Sequence, residues 1–184
     1  MRRTSAVALL ALVGVLAAPV FAQEAAKWEI DRAHSAAHFA VRHYAVTTVR
    51  GTFTNITGTI LIDDKNLANS SVDVTIDANT VNTQNENRDK HLRSADFFEV
   101  EKYPTITFKS KKVEPAGPGR AKVTGDLTIR GVTKEVVLDV ADVTPAIKDP
   151  FGKTRAGARA TQDLAPLRDF YKLLGSRVDP LQAE

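Results

Sequence analysis

Three features of the 184-residue sequence predict an all-β fold: an antiparallel β-barrel with one short helical insert. Apolar and polar residues alternate with a period of two in segment after segment, as in strands with one face on a core and one in water. The segments follow one another through short turns such as Asp63 to Asn66, Pro115 to Gly119 and Arg130 to Thr133. A single stretch, Asn82 to Pro104, breaks the alternation and sets Arg88, Asp89, Lys90 and His91 against Leu92, Phe97 and Phe98. With no second apolar layer of helices, such a meander buries its inner face best by closing on itself.

The elements follow in order. Met1-Arg2-Arg3, the apolar run Ala6 to Ala18 and Val20-Phe21-Ala22 have the pattern of a secretory signal peptide, too short to span a membrane as a helix. Residues 1–22 are therefore expected to be removed, residues 23–161 to form the barrel domain, and residues 162–184 to form a tail. Trp28 and Ile30 share a face in the opening strand. In Ala36 to Tyr44, Ala37, Phe39 and Val41 share one face and His38 and Arg42 the other, while His43 has inward parity at a strand end, as at a rim. Thr47 to Ile62 reads as one long strand whose parity changes between Phe53 and Ile56, which predicts a bulge or bend near Asn55.

A third strand holds Val72, Val74, Ile76 and Ala78 inward. Asn85 to Arg93 predicts a short helix, and Pro104 ends the insert. Ile106 and Phe108 face inward in the next strand. Val123, Leu127 and Ile129, then Val136, Leu138 and Val140, mark two more, and Thr154 to Thr161 a short seventh.

Composition narrows the function. Hydrophobic residues make up 43% and charged residues 26%, ordinary for one globular domain. Loss of residues 1–22 removes Arg2 and Arg3 and no carboxylate, so the formal charge falls from +3 to +1. A nearly neutral chain lacks the field of a nucleic-acid binder. The absence of cysteine excludes disulfides, thiolate metal sites and a lipid-modified N-terminal cysteine. The leader predicts a periplasmic protein with no stable membrane insertion after cleavage.

No nucleophile elbow and no phosphate-cradling glycine loop is present, so no catalytic residue is nominated. Asp89 beside His91 is expected in a salt bridge to Arg88 or Arg93 rather than as an acid/base pair. His34 and His38 share parity but would lie about 13 Å apart along a strand, too far to grip one ion, so no metal site is expected. Phe39, Phe53, Phe97, Phe98 and Phe108 leave two readings open: rings that pack together, or the lining of an apolar hollow.

Several stretches carry a family resemblance: His34-Ser35, Phe39 to His43, Val49 to Phe53, Thr57 to Ile60, the whole of Ser71 to Lys109, and Val123 to Thr133. Over roughly Trp28 to Thr161 the chain resembles the YceI-like family, exported polyisoprenoid-binding proteins with a lipocalin-like barrel. The resemblance implies an eight-stranded barrel holding an isoprenoid lipid, such as a polyprenyl phosphate or a quinone tail. It implies neither catalysis nor a cofactor.

By position, Arg88, Asp89, His91 and Leu92 fall on the family's insert, Phe97 and Phe98 on its aromatic step, and His43 on its strand-end histidine. Phe39, Val41, Phe53, Ile76, Ile106 and Phe108 would line the interior. The insert would gate the mouth, where Arg88, Lys90, His91 and Arg93 could meet a head group. The tail departs from the family: Arg168-Asp169-Phe170 resembles its Asp-Phe-Gly step, but no alternating strand follows. An unclosed edge would permit a homodimer, or a structural or stress-response module that binds protein partners.

Overall fold

The computed structural model describes residues 25–44 and 46–163. The expected leader, and the tail from residue 164 with its Arg168-Asp169-Phe170 step, lie outside the described residues. The strands are β1 (Ala26–Glu29), β2 (Ala37–His43), β3 (Thr47–Phe53), β4 (Ile56–Ile62) and β5 (Ser71–Asp77). After the helix α1 (Glu86–Arg93) come β6 (Thr105–Pro115), β7 (Ala121–Ile129) and β8 (Val132–Ala141). The short strands β9 (Ile147–Lys148), β10 (Thr154–Arg155) and β11 (Arg159–Thr161) follow.

Seven strands form one sheet in the order β1-β4-β5-β6-β7-β8-β11, and β2–β3 and β9–β10 are separate two-stranded ribbons. Every pairing is antiparallel. The sheet curls into a half-barrel. The eight-stranded barrel implied by the resemblance is thus represented by seven strands whose end members, β1 and β11, do not pair with each other among the described residues.

The strand expected over Thr47 to Ile62 is two strands in two sheets. The phase change near Asn55 is a break at Thr54-Asn55, after which the chain leaves the β2–β3 ribbon for the main sheet. A local bulge and a full parting of sheets both shift side-chain parity, so the pattern alone did not distinguish them. The ribbon stays attached through an antiparallel bridge between Thr52 and Asn82, each amide donating to the other's carbonyl at 2.9 Å.

The register lines up one apolar face across the sheet. Trp28 pairs with Ile60, Ile60 with Val72, Val74 with Phe108, Phe108 with Leu127, and Val123 with Leu138. A shift between Ser110 and Lys112 bends β6, and the Ser110 hydroxyl accepts the Val72 amide at 2.8 Å. Bends of this kind let an antiparallel sheet curl.

The face has two buried centres. One gathers Phe53, Ala78, Val81, Val100, Ile106 and Ile129; the other gathers Phe108, Val113, Val123 and Val136. Leu127 packs against both.

In the ribbon, Phe39 lies opposite Gly51. A Cβ at Gly51 would come within 2.3 Å of the Phe39 ring and 2.9 Å of the Thr83 side chain. The glycine supplies the room into which the ring folds, a cross-strand device that fixes the ribbon's register. At the far end of the chain, Arg155 donates from Nε to Asp149 at 2.6 Å and from Nη1 to Asp31, tying the β9–β10 ribbon to the segment after β1. Asp31 also accepts from His34 Nδ1 at 2.9 Å and from the Ala33 amide at 3.0 Å. The His34 bond first, then the Ala33 amide and Arg155, hold the Asp31 carboxyl down to about 2.

Two outcomes are expected. Gly51→Ala should destabilise by about 1–3 kcal/mol through overpacking against Phe39, seen as a lower urea midpoint at unchanged slope. Asp31 has a folded pKa below its unfolded value, so its contribution is complete above about pH 4 and fades as pH falls toward about 2. Asp31→Asn should therefore flatten the fall of the unfolding midpoint across that window, and an unchanged acid limb would contradict the assignment.

Candidate functional site

The insert begins at Asn85, whose side chain caps α1 by accepting the Arg88 amide at 3.0 Å. Glu86 and Asp89 occupy the first turn and Lys90, His91 and Arg93 the last, the arrangement the helix dipole favours. Asp89 is buried, and its Oδ1 accepts the Thr83 amide at 2.8 Å and the Thr83 hydroxyl at 2.6 Å. Arg88 donates from Nε to the same hydroxyl oxygen at 2.7 Å and from Nη2 to the Thr83 carbonyl at 2.8 Å. Arg93 reaches the Asn79 and Val81 carbonyls at 2.8 and 2.7 Å.

These bonds correct two expectations. Asp89 is satisfied by Thr83, not by a guanidinium salt bridge. Arg88 and Arg93 spend their donors on the backbone of residues 79–83 rather than pointing at a head group. A run of carbonyls with no full strand partner beside a core needs other donors, and the forked guanidinium of Arg93 serves two of them at once.

The expected gate is a plug. Behind α1 the Phe53 ring stands edge-on to Phe98 with centroids 5.6 Å apart, and Phe39 lies 5.5 Å from Phe53. Leu92 packs into the same cluster, together with Ile76, Ile106 and the fully buried Val81. The space directly under the insert is therefore filled by the protein's own side chains. Arg130 holds the outer side of the plug, donating to Glu99 and to the Ala95 carbonyl.

Phe97 stays half-buried, 4.9 Å from the His91 ring, and His91 is exposed and paired with Asp96 at 3.0 Å. His43, expected inward at a rim, is exposed and stacks edge-on against Tyr44 at 4.1 Å. It is the last residue of β2, at the ribbon's far end from the core that half-covers Phe39 and Val41. Val41 keeps its inward position, half-buried, and Phe108 belongs to the second core centre.

Beyond the plug lies the second buried centre, with half-buried apolar residues flanking it. Trp28, Ile60, Ile62, Val72, Leu138 and Val140 are half-buried on the same side of the sheet as the core. This trough was legible as alternation, but none of these six residues was nominated for a site, because the insert drew the reading toward itself.

A separate cleft of about 320 Å³ opens on the outer face among Asn55, Thr57, Thr75, Asp77 and Thr105. Its lining suits water better than a lipid. Among the described residues no group of three His, Cys, Asp or Glu side chains is placed to hold a metal ion.

Residues 28–164 match the YceI-like domain family. The chain belongs to the YceI-like family. A UPF0312 protein of Vibrio parahaemolyticus is 41% identical over 157 residues, covering 84% of this chain and 82% of the relative. Among solved structures, the Campylobacter jejuni YCEI protein is 38% identical with a TM-score of 0.56, covering 71% of this chain and 76% of that one. Burkholderia cenocepacia BcnA is 27% identical with a TM-score of 0.59, covering 65% and 74%. The YceI-like match spans both the plug and the trough, so the two belong to one domain.

Asp89→Ala should leave the buried Thr83 amide and hydroxyl without an acceptor and cost about 1–3 kcal/mol. Asp89→Asn keeps an acceptor and should cost clearly less. Equal losses in chemical denaturation would show that charge, rather than hydrogen bonding, holds the plug.

Proposed function

We propose that this YceI-like chain is a periplasmic carrier that binds an isoprenoid lipid along the open trough, without catalysing a reaction on it. One observation carries the reading: an apolar face runs across six strands, β1, β4, β5, β6, β7 and β8, has two fully buried centres, and is only half covered along Trp28, Ile60, Val72 and Leu138. Water against such a face is unfavourable, and a branched hydrocarbon chain fits it without any polar anchor in its depth. At about 0.8 kcal/mol per buried CH₂, one five-carbon unit gains about 4 kcal/mol before ordering costs. A few units therefore suffice, and the head group need not be gripped. The implied family ligand, a polyprenyl phosphate or quinone tail, has this shape.

A second reading has its own observation. β1 and β11 each have one strand partner among the described residues, so the sheet offers two edges to another protein or a second copy.

Native mass spectrometry of the protein purified from its own cells separates the two: a co-purifying isoprenoid supports the carrier, and a lipid-free dimer supports the edge. Ile60→Asp puts a charge in the trough away from the plug. It should lower lipid retention by at least about tenfold with the fold intact by circular dichroism, since a carboxylate among methyl groups must keep its water. Full retention would place the lipid elsewhere.

A further inference from the structure

We propose that the tip of the β2–β3 ribbon is a docking surface for an anionic lipid bilayer. This adds to the carrier reading a place where the protein meets its lipid source, and it stands on different residues. The base of the ribbon is fixed: Ala37 pairs with Phe53 at the plug, and Thr52 bridges to Asn82. From there β2 runs through Val41 to His43, so the turn lies about 20 Å from that base and about 13 Å beyond Phe39 at about 3.3 Å per residue.

At that turn Tyr44 is 66% exposed and Val46 is 84% exposed. The turn is closed by the Val46 amide donating to the His43 carbonyl at 3.1 Å, and Tyr44 sits in the left-handed region with φ of 52°. Glycine or asparagine would take that conformation with less strain. A strained tyrosine, exposed beside a valine, is an arrangement that water does not reward. The headgroup boundary of a bilayer does, because an aromatic ring with a polar tip partitions to that depth.

Charge selects the kind of bilayer. Between Asp31 and Asp63 the sequence holds Arg32, Arg42 and Arg50 and no carboxylate at all. Arg50 is exposed on the ribbon's outer face, opposite Ala40. A carboxylate-free ribbon with an apolar tip complements an anionic lipid surface and not a neutral one. Elsewhere Phe151, 88% exposed at the β9–β10 turn between Lys148 and Lys153, is the rival apolar tip, its one carboxylate, Asp149, bound to Arg155. It supplies the internal comparison.

The test is flotation of the protein, purified from the periplasm of its host so that Ala6 to Ala18 are absent, with vesicles of phosphatidylcholine alone or mixed with phosphatidylglycerol. The wild type should float with the mixed vesicles only. Tyr44→Asn/Val46→Ser, in which asparagine preserves the turn, should bind at least about tenfold more weakly, and Arg50→Gln about fivefold. Phe151→Ser should bind as the wild type does.

Undiminished flotation of the double variant, a loss confined to Phe151→Ser, or equal flotation with neutral vesicles would overturn the proposal. Uptake of an isoprenoid from detergent micelles, which bypasses the bilayer, should be unchanged in the double variant. If the wild type floats but takes up no isoprenoid, the docking surface stands and the carrier reading falls.

Discussion

Five residues between β5 and α1, Asn79 to Thr83, are gripped from both sides, and the rest of the architecture depends on that grip. On one side the guanidinium groups of Arg88 and Arg93 and the carboxylate of Asp89 satisfy the segment's carbonyls and the Thr83 amide. On the other, Asn82 exchanges both backbone bonds with Thr52 of β3. The segment has no full strand partner, yet its polar groups lie against a core whose centre, Val81, is fully buried. Left unpaired there, each group would cost about as much as a lost hydrogen bond, about 1–3 kcal/mol. Side chains from the helix do the work a neighbouring strand does elsewhere in the sheet. The helix is thereby fixed to the barrel end, and the β2–β3 ribbon is fixed to the helix.

The proposed carrier role sets two demands on that arrangement. A sheet with one apolar face gains stability by covering it, and a lipid carrier must leave some of it uncovered. Here the two demands are met at different places along the same face. At one end Phe39, Phe98 and Leu92 pack around the buried Phe53 and Val81. Toward β1 on one side and Leu138 and Val140 on the other, the same face is only half covered. Leu127 touches both buried centres, so the packed end and the trough belong to one continuous core rather than two modules.

Much of this was readable beforehand, for a physical reason: alternation reports which face of a strand is apolar, whatever the strand pairs with. The inward sets in β5, β7 and β8, the capped helix after Asn85 and the change of phase near Asn55 all follow from local chemistry. What alternation cannot report is what covers the face. Phe97 and Phe98 look alike in sequence, yet Phe98 enters the core and Phe97 stays beside His91, because only the fold decides which ring faces Phe53. Asp89 among three basic neighbours invited a salt bridge, and the stronger partner was a threonine amide that helix geometry brings alongside. His43 has the parity of Phe39 and Val41, but at the end of β2 it is exposed. The trough went unnoticed as a site because its residues, Ile60 and Val72 among them, look in sequence like ordinary core.

The committed guanidinium groups change what the trough could select. A pocket that recognised a phosphate would keep a forked cation unpaired and aimed inward. Arg88 and Arg93 instead donate to backbone carbonyls, and Arg130 reaches Glu99 and Ala95 on the plug's outer side. The trough residues themselves carry no hydrogen-bonding side chain apart from the indole of Trp28. Discrimination among lipids would then rest on the length and branching of the hydrocarbon, since each added methyl group gains burial only where the curled sheet leaves room for it. Head-group chemistry would act outside the barrel, where the exposed Arg50 sits on a ribbon with no carboxylate of its own. On the proposed reading, binding and delivery fall to different parts of one sheet system, the trough for the chain and the ribbon for the surface it comes from.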